Sequence, residues 1–187
     1  MTKSKKIIRQ VVFGAIFASV AIIMKLFISY ETQFFAVRIF EIPIMIAGIL
    51  LGPLYGGLVG LVTDLVYSMI NIRGLNVGPN LFTVEAMLFG IIPGIVFTFF
   101  RYKKTTIILS TVITLIIAFI VSSTQLFIWQ YEQPASFFAL LPYRFLVMII
   151  KIPFEIIILH YLITYKGFSS IKIYQDFYQK HHINIKA

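Results

Sequence analysis

Apolar stretches close to the length of a membrane span recur from one end of this 187-residue chain to the other, separated only by short polar breaks. A hydrocarbon core of about 30 Å takes roughly 20 helical residues to cross. In lipid each backbone N–H and C=O must find its partner within the protein, so segments of this kind are helices packed side by side. The breaks leave no room for a separate soluble domain. Composition agrees: 59% of the residues are hydrophobic and 12% charged, where soluble domains average about 45–50% and about 25%. The expected fold is an all-α membrane protein, one compact bundle covering residues 1–165, followed by a basic, tyrosine-rich tail over 166–187 that is too polar to span.

Six spans are expected, over residues 7–28, 38–51, 54–72, 81–100, 106–128 and 140–164. The first resembles a signal peptide, but its apolar run is longer than an h-region and no small-residue cleavage site follows, so a retained helix is expected. The second is about 21 Å long at 1.5 Å per residue, short for a full crossing. It is punctuated by Gly52-Pro53, and "RGLNVGPN" (73–80) and "WQYEQPASF" (129–137) read as loops. Lys3, Lys5, Lys6, Arg9, Arg101, Lys103, Lys104 and the tail lysines lie on one side of such a bundle, against Arg38, Arg73 and Arg144 near the other. The positive-inside rule then puts both termini in the cytoplasm and the loops 29–37, 73–80 and 129–139 outside. This distribution accounts for the net charge of +9 without nucleic acid as a partner.

A charge at the centre of a membrane helix costs about 2.5–3.5 kcal/mol on insertion scales, so such residues face the bundle interior and mark function. Here they are Glu41, Asp64, Glu85, Arg144, Lys151 and Glu155, while Lys25, near a helix end, is expected to snorkel. Arg38, Asn76, Asn80, Thr83, Glu85, Gln125, Trp129, Arg144 and the deeper Lys151 are the candidate ligand contacts. Together they offer the acceptors, donors and stacking surfaces that a flat, polar heteroaromatic ligand with an anionic part requires. The same charges also read as ion pairs holding the bundle together. Lys151 and Glu155 are one turn apart on one face, and Asp64 is expected to pair with another buried group, Lys151 being the candidate.

No GxSxG elbow, HExxH helix or Walker-type loop is present, so neither catalysis nor ATP binding is expected. The absence of cysteine removes thiolate chemistry, and the three histidines, His160, His181 and His182, are not placed to assemble a metal site, so neither metal nor cofactor is expected. Gly56, Gly57 and Gly60 form a small-residue face of the kind that lets membrane helices approach closely. In the first span Gly14 with Ala18, and Ala15 with Ser19, make two further small pairs at a spacing of four, suited either to internal packing or to docking another membrane protein.

Taken together, "VRIFEIPIMIAGILLGPLYGGLVGLVTDLV", the Asn/Gly/Pro loop and "FTVEAMLFGIIPGI" resemble the substrate-binding S component of an energy-coupling factor (ECF) vitamin transporter, over residues 7–165. "RIFEIPIMIAGILLGPLYGG" and "LLPYRFLVMIIKIPFEIIIL" are most similar to the folate-specific members, although Glu41 stands where those members have a small or apolar residue. The resemblance implies a non-enzymatic, multi-pass subunit of the bacterial plasma membrane that captures a vitamin at the outer face. It also implies a transmembrane coupling protein and two ATPases as partners, with Gly14, Ala15, Ala18 and Ser19 as docking positions. Folate would meet Glu85 through its pterin and Arg38 or Arg144 through its glutamate tail. Riboflavin, thiamine, pyridoxine or a queuosine precursor would use similar contacts, and a structural subunit of a membrane complex is the reading from another class.

Overall fold

The computed structural model describes residues 3–28, 30–31, 36–37, 39–70, 80–129, 134–165 and 171–181. Among them five helices are long and apolar enough to cross a membrane: α1 (Lys3–Phe27), α3 (Pro53–Ile70), α4 (Leu81–Phe99), α5 (Lys104–Trp129) and α6 (Pro134–Thr164). A shorter apolar helix, α2 (Glu41–Leu51), completes the bundle, and α7 (Lys172–His181) follows it. Between α1 and α2, Tyr30–Glu31 (β1) and Ala36–Val37 (β2) pair antiparallel. The β1–β2 end of the bundle is called the hairpin end, and the opposite end the α7 end.

Helix α2 has ten of its eleven residues buried and packs against α1, α3, α4, α6 and α7, so its length follows from being enclosed by protein instead of lipid. It stops at Gly52, whose φ of +97° is open to glycine and strained for other residues. Pro53 then starts α3, a position where the missing N–H costs nothing. For the same reason α6 begins at Pro134 and not near residue 140: a proline read as part of a loop is the first residue of the helix.

Antiparallel α3 and α4 meet along a ladder of small residues. A Cβ on Gly56 would lie 2.7 Å from the Gly90 carbonyl oxygen, and one on Gly60 would lie 2.9 Å from the Met87 nitrogen. Gly48 of α2 enters the same crossing, since a Cβ on Gly56 would also meet the Gly48 backbone. The glycine face expected in α3 therefore packs inside the bundle, where backbone approach replaces the hydrophobic effect that lipid cannot supply.

Within the tail, which is too polar to span, α7 lies against the end of the bundle. Ile173, Tyr174, Phe177, Tyr178 and His181 are buried at the ends of α4 and α6. The Tyr178 hydroxyl donates to the Ile163 carbonyl at 2.7 Å, the Tyr102 N–H donates to His181 Nδ1 at 3.1 Å, and Asp176 pairs with Arg9 of α1. Burial, with a smaller push from Tyr178, raises the Tyr102 and Tyr174 hydroxyls from 10 to about 12. A raised tyrosine pKa means that the neutral form is favoured in the docked state. Docking is therefore fully supported below pH 10 and weakens as pH rises through about 12. Absorbance titration of the purified protein should show part of the tyrosine signal ionising near pH 12, and Tyr102→Phe/Tyr174→Phe should diminish that late component, leaving the share of Tyr178, which burial also raises.

Candidate functional site

At the hairpin end the polar residues are assembled around the start of α4. Asn80 is its N-cap: the side chain accepts from the Phe82 N–H at 2.8 Å, while the Thr83 hydroxyl accepts from the Asn80 N–H at 3.2 Å. Such a reciprocal cap satisfies donors that a helix start leaves without intrahelical partners. The Leu81 N–H donates to Gln125 of α5 at 3.1 Å, so Gln125 fixes α5 to the same turn. Glu85, one turn further along α4, is buried at 5% exposure.

Behind the cap stands Asp64. Its Oδ2 accepts from the Thr83 hydroxyl at 2.6 Å and its Oδ1 lies 2.6 Å from Lys25 Nζ. Both partners are interior, with Lys25 7% and Asp64 5% exposed. This corrects two expectations. Lys25 does not snorkel, because its ammonium lies between a carboxylate and the rings of Tyr67 and Phe40, at 4.4 and 4.7 Å from their centroids. Asp64 pairs with Lys25 and not with Lys151, because α1 and α3 run parallel and carry both charges toward the same end.

Lys151 instead joins α6 to α2. It pairs with Glu41, and its ammonium is 3.2 Å from Glu155 Oε1 on its own helix. The carboxyls of Glu41 and Glu155 are both 1% exposed, and among the described residues neither oxygen of Glu155 makes a hydrogen bond. The i,i+4 contact of Lys151 with Glu155 is as expected; Glu41 is the additional partner. Arg144, half-buried, donates to Ser122 of α5 at 3.2 Å.

Asn80, Thr83 and Gln125 thus meet at one turn, with Glu85 on the next; Arg144 and Lys151 are held at the α5–α6 and α2–α6 contacts. Arg38, Asn76 and the side chain of Trp129 lie outside the described residues. Sequence reasoning did not foresee Lys25 as part of this group. The available signal was that a deep Asp requires a cation, and Lys25 sits toward the matching end of a parallel span. Apart from Gln125, it also passed over the polar inner face of α5, where Ser110, Thr111, Thr114, Ser122 and Ser123 are buried.

The small pairs of α1 divide between two faces. Gly14 and Ala18 are buried, and a Cβ on Gly14 would make ordinary contact with Val59, whereas Ala15 and Ser19 are exposed and the Ser19 hydroxyl is returned to the Ala15 carbonyl at 2.9 Å. Among the described residues no group of three His, Asp or Glu side chains assembles to hold a metal ion. The groups held on this helical frame are carboxylates, an amide and a guanidinium.

Three comparisons bear on this arrangement. The sequence model of the family described as "ECF transporter, substrate-specific component" matches residues 9–163. No curated protein matches the sequence. Among solved structures, a crystal structure of FolT bound with folic acid superposes with a TM-score of 0.70, at 24% identity, over 87% of this chain and 93% of that one.

Proposed function

The chain belongs to the substrate-specific component family of ECF transporters, and from that premise we propose that it captures folate at the outer face of the bacterial plasma membrane and delivers it inward. The observation that carries this reading is the likeness, over 87% of the chain, to a FolT structure holding folic acid. The hairpin end is the capture side. Exposed Lys5, Lys6, Arg101, Lys103, Lys104 and Lys180 gather at the α7 end, which supports a cytoplasmic position for that end, for both termini and for the tail. In this reading α2 is the sixth crossing, short because its hairpin end stops within the protein.

Folate carries ring donors that suit Glu85 and a glutamate tail that suits Arg144 and Arg38; Asn80, Thr83 and Gln125 shape the floor between them. The chain binds folate without ATP, and the energy for release comes from two partner ATPases through a transmembrane coupling protein. The exposed apolar face of α1, with Ala15 and Ser19 at its centre, is the surface offered to that partner.

Arg144→Ala tests the ligand assignment. Losing one partner of a desolvated charge pair costs about 2 kcal/mol or more, roughly 30-fold in affinity. Because Arg144 is only half-buried, thermal unfolding should be little changed. Folate affinity equal to that of the unaltered protein would remove Arg144 from the site. A panel containing riboflavin, thiamine and pyridoxine, titrated alongside, distinguishes folate from the other flat vitamins.

A further inference from the structure

The pairing of Lys25 with Asp64 has no counterpart in what packing alone requires. The α3–α4 interface is already closed by small residues, Gly56 opposite Gly90 and Gly60 opposite Ala86, and the next contact of the same ladder is Asp64 opposite Thr83. A buried ion pair is replaceable by well-packed apolar residues with little loss of stability, and often with a gain. A lysine and an aspartate kept at this position therefore need a reason beyond cohesion of the bundle.

Their connections supply one. Lys25 comes from the last turn of α1 and its ammonium is held against Phe40, the residue that leads from the hairpin into α2. Asp64 uses one oxygen for Lys25 and the other for Thr83. Thr83 in turn accepts from the Asn80 N–H, and the adjoining Leu81 N–H is taken by Gln125 of α5. One carboxylate thus ties together the end of α1, the entry to α2, the start of α4 and, through that start, the end of α5.

We infer that Asp64 and Lys25 are positioning residues for ligand capture: the pair presets the α2 entry and the first turn of α4 and does not itself touch the ligand. This inference rests on the folate reading above. It also assigns Thr83 and Asn80 a different share of the work, since their hydroxyl and carboxamide oxygens are already engaged in the cap and serve to orient Glu85 one turn along.

The test uses the full-length protein in detergent with two variants. In Lys25→Met/Asp64→Leu both charges go, so no charge is left uncompensated. Its thermal midpoint should stay within a few degrees of the unaltered protein, while folate affinity falls at least about tenfold. Thr83→Val removes only the hydroxyl and should weaken folate by roughly three- to tenfold, and combining it with the double variant should add little, because both act through one network. Affinity within twofold in the double variant overturns the inference, as does full additivity with Thr83→Val. Hydrogen exchange gives a reading that needs no ligand: amides of Asn80–Glu85 should exchange at least about tenfold faster in the double variant, with those of α7 unchanged. Unchanged protection at Asn80–Glu85 contradicts the inference. An unaltered protein that binds no folate defeats the functional reading instead, and the exchange measurement still decides the role of the pair.

Discussion

Lys151→Met is expected to destabilise the protein by about 3–5 kcal/mol, the range for breaking a buried ion pair from one side. The ammonium is paired with Glu41 and stands 3.2 Å from Glu155, so its removal leaves two carboxyls, each 1% exposed, without the cation between them. Water cannot reach them to compensate, and α2 loses its tie to α6. For a chain of this size 1 kcal/mol moves the melting temperature by about 2–4 °C, so a fall on the order of 10 °C is expected in detergent. The triple variant Glu41→Leu/Lys151→Met/Glu155→Leu, which removes all three charges, should recover most of it. A single Lys151→Met variant melting within 2 °C or so of the unaltered protein would show that the α2–α6 contact does not depend on this pair.

Gly90→Ala should be of comparable severity for a different reason. A Cβ there would enter the Gly56 backbone, lying 2.8 Å from its Cα and closer still to its carbonyl. Side chains yield to an added methyl by changing rotamer, but backbone at a helix crossing yields only by separating the helices. Overpacking of this kind costs about 3 kcal/mol at the upper end of its usual range. Gly14→Ala is the control: its nearest neighbour would be a Val59 methyl at 3.6 Å, ordinary contact, and no loss is expected. Unfolding midpoints of the two variants side by side test the crossing, and equal stability would contradict it.

The long apolar helices were legible because lipid imposes a length and a hydropathy that few soluble elements share. The glycine face of α3 was legible too, since three small residues at helical spacing have few other uses in a span. What escaped depends on which helix neighbours which. Nothing in the order of residues says that Asp64 faces α1 and not α6, so the sequence does not choose Lys25 over Lys151 as its partner. The inner face of α5 escaped because serine and threonine lower the hydropathy of a span only slightly and are tolerated there, as where Thr114 returns its hydroxyl to the Ser110 carbonyl.

Helix α7 was missed for a reason that is visible in its sequence. Ile173, Tyr174, Phe177, Tyr178 and His181 repeat at helical spacing and form one face, but the surrounding Lys, Gln and Asp make the segment read only as too polar to span. Tyrosine and histidine bury their rings while keeping a polar tip satisfied, here against the Ile163 carbonyl and the Tyr102 N–H. The family match ends at residue 163, so this helix lies beyond the part of the chain that the family model covers.

The central claim is that this chain alone, without partners or nucleotide, is a folate receptor. Calorimetric titration of the purified protein with folate, in the absence of ATP, tests it most directly. The expected result is about one folate bound per chain with a Kd below about 1 μM, and no comparable heat from riboflavin or thiamine. Folate that gives no binding under these conditions, or a different vitamin that binds in its place, would contradict the account.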